Sequence, residues 1–187
     1  ERVEGESALG VFSALAYLPI AGATIVFSFC QAFAPRMARC YARGDFGKYR
    51  YLLMQLVGIA LVLGVAGLVV ASLAGESLLA IMYRPEYAGY QHEFVVLMIA
   101  AIPMYIGAIF GMGMTASRRF APQLPLFFCV TGVTLLVCWV AVPRMGVLGA
   151  ALAVLVAVVV QAVGSIMIVR NALRPSPGQE VTREVIS

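Results

Sequence analysis

Five stretches of the chain, residues 7–35, 51–75, 94–117, 120–143 and 145–169, contain no Asp, Glu, Lys or Arg. A helix needs about 20 apolar residues, at roughly 1.5 Å rise each, to cross a hydrocarbon core of about 30 Å. Every stretch exceeds that length and is dominated by Ala, Val, Leu, Ile, Met, Phe and Gly. Only 12% of residues are charged, whereas soluble domains carry about 25%. So little polar surface cannot clothe a water-exposed fold. The pattern predicts an all-α integral membrane protein. Its spans fall at about 8–34, 50–74, 93–116, 121–142 and 146–170, in one bundle over residues 1–173. The Pro- and Ser-containing remainder, 174–187, reads as a disordered tail.

The distribution of charge predicts an orientation. Between the first two spans lie Arg36, Arg39, Arg43, Lys48 and Arg50, opposed only by Asp45. On the same side fall Arg118, Arg119, Arg170, Arg174 and Arg183, while Arg2, Arg84 and Arg144 fall on the other. Ten of the 13 basic residues share one side, so the positive-inside rule puts the N-terminus outside and the C-terminus in the cytoplasm. The net charge of +4 is thereby read as topology, not as a nucleic-acid footprint. Tyr83, Tyr87 and Tyr90 stand where outer interfacial aromatics belong. The chain opens on Glu1 with no basic n-region ahead of its first span. An outward N-terminus needs an earlier helix to deliver it, so the chain is expected to be the C-terminal portion of a longer protein.

The catalytic inventory is nearly empty. No span holds a carboxylate, lysine, arginine or histidine, so no proton relay, acid–base pair or metal centre can be assembled within these helices. Cys30, Cys129 and Cys138 lie in spans and Cys40 in the basic connector, with His92, the one histidine, on the opposite side. The four cysteines are expected to be free thiols. No catalytic residue, cofactor or metal ligand is expected, and the chain is not expected to be an enzyme. Asp45, after Gly44, reads as the residue that opens the second helix.

The first span is more informative. Ser13, Tyr17, Thr24, Ser28 and Gln31 fall, at about 100° per residue, within a sector of roughly 60°. A polar stripe on a membrane helix faces either another helix or a water-filled cavity. Two readings therefore stand: interhelical glue, or a cavity wall offering neutral hydrogen-bond partners to a sugar-like cargo. Pro19, in mid-span, removes a backbone donor and is a candidate gating kink. Elsewhere Thr131, Thr134 and Cys138 share a face of the fourth span and Gln161 and Ser165 a face of the fifth, and the glutamines, Gln55 and Gln161, are expected to face the protein interior. Gly107 and Gly111 form a small-xxx-small pair that permits close helix approach. The segment 78–83 reads as a short interfacial helix before Pro85, and Pro143 as the stop of the fourth span.

Four motifs, met in order, resemble those of a known family. Leu9-Gly10-Val11-Phe12-Ser13-Ala14 is similar to an "LG-x-Y-S-A" helix opening, with Phe12 where Tyr is frequent. Pro35-Arg36-Met37-Ala38, continuing through Tyr41-Ala42-Arg43-Gly44-Asp45, resembles a "P-x-x-A…Y-A-x-G-D" connector. Leu78-Leu79-Ala80-Ile81-Met82-Tyr83-Arg84-Pro85-Glu86-Tyr87 resembles "L-L-x-L-L-Y-x-x-E-Y". Val142-Pro143-Arg144-Met145-Gly146-Val147-Leu148-Gly149-Ala150-Ala151-Leu152-Ala153 resembles "I-P-x-x-G-x-x-G-A-A-x-A". Together they look like the C-terminal half of the polysaccharide-biosynthesis and oligosaccharide flippases of the multidrug/oligosaccharidyl-lipid/polysaccharide exporter superfamily.

The resemblance implies two six-helix bundles around a cavity that opens alternately to each membrane face. This chain would supply five helices of the second bundle, and its partner would be the missing N-terminal bundle of the same protein. The implied activity is movement of an undecaprenyl-pyrophosphate-linked oligosaccharide across the bacterial inner membrane by alternating access, for surface polysaccharide assembly. Arg36, Arg39, Arg43, Lys48 and Arg50 are candidate contacts to inner-leaflet head groups. Two alternatives stay open. One is a cation-coupled multidrug or metabolite antiporter of the same superfamily, although these spans hold no coupling carboxylate. The other is a non-transporting membrane scaffold of a polysaccharide-export complex, although only a short tail is available for docking.

Overall fold

In the computed structural model, residues 2–82, 89–116 and 123–172 are described, with side chains between Gly10 and Asn171. Five α-helices account for nearly all of them: α1 (Arg2–Ala42), α2 (Phe46–Met82), α3 (Gln91–Ala116), α4 (Gln123–Met145) and α5 (Val147–Ala172). All five are long and apolar enough to cross a membrane. Tyr83, Arg84, Glu86, Tyr87, Arg118, Arg119, Arg174, Arg183 and the tail at 174–187 lie outside the described residues.

Helix α3 is the hub, packed against α1, α2 and α5, while α4 leans chiefly on α5. Small residues explain the hub. Gly64 of α2 admits Ile102, Gly107 of α3 abuts the backbone of Ala162, and Gly113 of α3 receives Tyr49 and Leu53. Dispersion across such close approaches holds helices together where lipid tails are as apolar as leucine. Gly111 meets nothing within 4 Å, so only one glycine of the small-residue pair serves packing. One buried cluster joins Met37, Tyr49, Leu53, Tyr105, Ile109 and Val169. A second, at the other end, joins Leu15, Leu79, Phe94, Leu97 and Ala151.

Many outward-facing residues are large and apolar: Leu73, Ile81 and Trp139 are each more than 80% exposed, and α4 has no buried residue among its 23. A surface of that kind suits hydrocarbon and not water.

Several boundaries differ from the sequence expectation. Helix α1 runs through Pro35 to Ala42 instead of stopping near 34, so Arg36 and Arg39 stand on its last turns and not in a loop. Residues 78–82 do not form a separate interfacial helix. They continue α2, because Gly75 packs on Gln91 and Phe94 and Leu79 is buried. Pro143 does not stop α4, which continues to Met145. The break falls at Gly146, whose φ of +57° suits glycine. Three residues on, a side chain at Gly149 would collide with the backbone carbonyl of Ala141, so α5 starts in direct contact with the end of α4. Gln55 is exposed instead of interior, whereas Ser165 is buried.

Gly149→Val is expected to destabilise the fold by about 1–3 kcal/mol, since backbone cannot move aside as a side chain can. Gly58→Ala, with open space around it, is expected to leave stability unchanged or slightly raised. Thermal unfolding in detergent, followed by a thiol dye reaching buried Cys30 after replacement of Cys40, Cys129 and Cys138, measures both.

Candidate functional site: a polar helix face and a basic cleft

The five stripe residues of α1 all lie on its exposed side: Ser13, Tyr17, Thr24, Ser28 and Gln31. The opposite side, with Val11, Leu15, Val26 and Cys30, packs into the bundle. None of the other four helices covers the stripe. Its central hydroxyls bond back along their own helix, Thr24 Oγ1 donating to the Ile20 carbonyl at 3.1 Å and Ser28 Oγ to the Thr24 carbonyl at 2.9 Å. Such bonds satisfy each donor and leave oxygen lone pairs facing outward.

Pro19 sits on the buried side, and its carbonyl accepts a 2.9 Å hydrogen bond from the Tyr105 hydroxyl of α3. The Tyr105 ring lies over Gly22, where any Cβ would displace it. Proline thus coincides with a point at which α1 is fastened to the hub.

The α1–α2 turn brings basic residues together. Gly44, at φ +72°, ends α1. Its N–H donates to the Tyr41 carbonyl at 3.1 Å, and the Asp45 N–H donates to the Cys40 carbonyl at 3.0 Å. This pairing is that of a Schellman motif. Asp45 then caps α2, Oδ1 accepting the Lys48 N–H at 3.1 Å, and its other oxygen pairs with Lys48 Nζ at 3.0 Å. These bonds from Lys48 hold the Asp45 carboxyl below its usual range. Tyr41 closes the turn from above, edge-on to Phe46 and Tyr49 with centroids 5.7 Å apart in both pairs. Tyr49 in turn donates to the Gly113 carbonyl of α3 at 2.8 Å.

The turn encloses a half-open cleft of about 450 Å³. Arg36, Arg39, Arg43 and Lys48 line it together with Asp45, and Cys40, Tyr51 and Leu52 form its less polar wall. Arg39 Nε is tied to the Pro35 carbonyl at 3.2 Å. Arg50, grouped with these residues by sequence, is exposed and stands outside the cleft. Among the described residues Asp45 is the one acid lining the cleft, and Lys48 already holds it. Sequence reasoning found the charges but not Tyr51 and Leu52, whose position only the folded turn reveals.

Comparison with known proteins gives one informative match. The chain is 25% identical over 158 residues to the capsular polysaccharide biosynthesis protein CapF of Staphylococcus aureus, covering 82% of this chain and 39% of that protein. The chain thus spans about two fifths of the length of this relative. No family model matches, and no solved structure matches. The molecule is an all-α protein with five helices suited to a membrane, distantly related to a polysaccharide-biosynthesis protein.

Two outcomes follow from this geometry. Tyr105→Phe is expected to cost about 1 kcal/mol, the usual worth of one intramolecular hydrogen bond, while Tyr17→Phe on the exposed face is expected to cost nothing measurable; thermal midpoints in detergent compare them. The second concerns pH. A depressed Asp45 pKa contributes stability that is present above the ordinary carboxylate range and is lost as pH falls through the lowered folded value. The destabilisation caused by Asp45→Ala is therefore expected to be largest near neutral pH and to shrink toward about pH 3, as read by the same midpoints across a pH series.

Proposed function

We propose that this chain is one bundle of a two-bundle transporter that moves a lipid-linked oligosaccharide, carried on undecaprenyl pyrophosphate, from the cytoplasmic to the outer leaflet for surface polysaccharide assembly. The polar face of α1 carries the reading. Five polar residues, Ser13, Tyr17, Thr24, Ser28 and Gln31, gather on one exposed side of α1, among the apolar Ile20 and Phe27, and that side is turned away from the other helices. Hydrocarbon gives such a face nothing to bond, whereas a hydrated cavity shared with a second bundle gives it water and sugar hydroxyls. The relationship to a capsular polysaccharide biosynthesis protein, of which this chain matches about two fifths, supports a role in surface polysaccharide assembly.

The α1–α2 turn lies on the cytoplasmic side in this reading, as the excess of basic residues there supports. Alternating access then needs α1 to change its tilt against the second bundle while remaining fastened to α3. The Tyr105–Pro19 bond is placed to act as that pivot.

The test uses the full-length protein in sealed membrane vesicles of both orientations, with its native cysteines replaced and single cysteines placed at Ser13, Thr24 and Ser28. All three are expected to react with a membrane-impermeant maleimide and to be protected when lipid-linked oligosaccharide accumulates. Uniform protection at all three, with labelling retained at a control cysteine replacing Arg50, would overturn the cavity assignment and leave the stripe as a packing surface.

A further inference from the structure

We propose that the cleft at the α1–α2 turn is a binding site for a phosphate or diphosphate group tethered to a hydrocarbon chain. The inference rests on the shape and chemistry of the turn and stands whether or not the α1 face lines a cavity. Setting topology requires only that basic residues lie near one end of the helices. It does not require that Arg36, Arg39 and Arg43 converge with Lys48 on one half-open cleft of about 450 Å³, a volume within the usual range for small-molecule sites of roughly 300–1,000 Å³.

The charges in that cleft are unequally committed. Asp45 is spent twice over, capping α2 and pairing with Lys48. Arg36 and Arg43 have no carboxylate partner among the described residues, and neither does Arg39, whose Nε is anchored on the Pro35 carbonyl. Mutual repulsion of three guanidinium groups calls for an anion, and the fork of an arginine matches phosphate oxygens two at a time. Their spacing along α1 places Arg36, Arg39 and Arg43 on one side of its last turns. The Schellman turn fixes the distance at which Lys48 faces them from α2.

The other wall says what the phosphate is attached to. Tyr51 and Leu52 line the cleft on α2, and Tyr51 opens the charge-free run that continues to residue 75. A phosphate held by Arg36 and Arg43 thus has an aromatic ring and an aliphatic side chain beside it, at the point where the helix loses its charged residues. An inorganic phosphate or diphosphate gains nothing from that arrangement. A lipid phosphate or a polyprenyl diphosphate gains a surface for the first carbons of its chain.

Native mass spectrometry of the full-length protein in detergent tests the site with four probes: a polyprenyl diphosphate, phosphatidylglycerol, phosphatidylcholine and inorganic pyrophosphate. Retention of the polyprenyl diphosphate or of phosphatidylglycerol is expected to exceed that of zwitterionic phosphatidylcholine at least tenfold. The doubly substituted Arg36→Gln, Arg43→Gln protein is expected to lose that preference tenfold, whereas Arg50→Gln, outside the cleft, is expected to change it less than twofold. The paired Arg36→Lys, Arg43→Lys protein keeps charge without the fork and is expected to fall between; it also serves if the glutamine pair does not fold.

A tenfold preference for the diphosphate over phosphatidylglycerol assigns the site to a transported lipid-linked cargo. Equal retention assigns it to resident anionic lipid. The proposal is overturned if phosphatidylcholine is retained equally, if the Arg36 and Arg43 substitutions behave like Arg50→Gln, or if pyrophosphate binds while neither anionic lipid does.

Discussion

Inside hydrocarbon a backbone N–H or C=O has no water to turn to, so each helix must satisfy its own backbone and its own hydroxyls. Thr24, Ser28, Ser72, Thr115 and Thr134 all donate to the carbonyl four residues earlier. The buried tyrosines obey the same constraint over longer distances. Tyr105 finds its acceptor at Pro19 and Tyr49 at Gly113, each on another helix. These bonds cross the two interfaces that α3 makes with α1 and with α2. The hydrogen bonds that link helices are therefore the ones that fasten the hub, and the remaining cohesion comes from small residues that let backbones approach.

That division gives the molecule unlike sides. Helix α4 presents Leu124, Phe128, Leu135, Leu136 and Trp139 outward and contributes no buried residue, as a helix bathed in lipid would. Helix α1 presents its hydroxyls, Tyr17 and Gln31. The same helix also exposes Ile20, Ile25, Phe27 and Phe29, so its outward side is mixed where that of α4 is mainly apolar.

The spans were legible because charge is costly in hydrocarbon and its absence is easily counted. The ends of the helices were not, because the features read as terminators do not terminate here. Arg36 and Arg39 can continue α1 beyond the apolar run, since long basic side chains reach the interface without disturbing a helix. Pro35 and Pro143 each delete one donor, but the helix proceeds past both. Tertiary contact decided the end of α2, where the burial of Leu79 on the hub outweighed the apparent break. The stripe on α1 was legible by its period, whereas its turning away from all four neighbours depends on how α1 packs. At the α1–α2 turn, Gly44 and Asp45 announce a helix stop and a helix start. Their combination with Tyr51 and Leu52 into a cleft is a property of the folded turn.

The basic residues at that turn illustrate how one set of charges can answer to two constraints. Orientation in a membrane depends on how many positive charges lie on a side and is indifferent to their arrangement, so Arg50 counts as fully as Arg36. Recognition of an anion depends on arrangement, and there Arg50 drops out while Arg36, Arg39, Arg43 and Lys48 remain. Asp45 separates the two roles. It leaves the number of positive charges, and with it the orientation, unchanged, but it caps α2 and holds Lys48, which fixes the facing wall of the cleft. On an ideal helix, Arg39 falls only roughly 20° around α1 from Ser28, so the polar face and the cleft lie near one another at the foot of the same helix. A head group held at the turn would thus stand at the foot of the helix side that carries Thr24, Ser28 and Gln31.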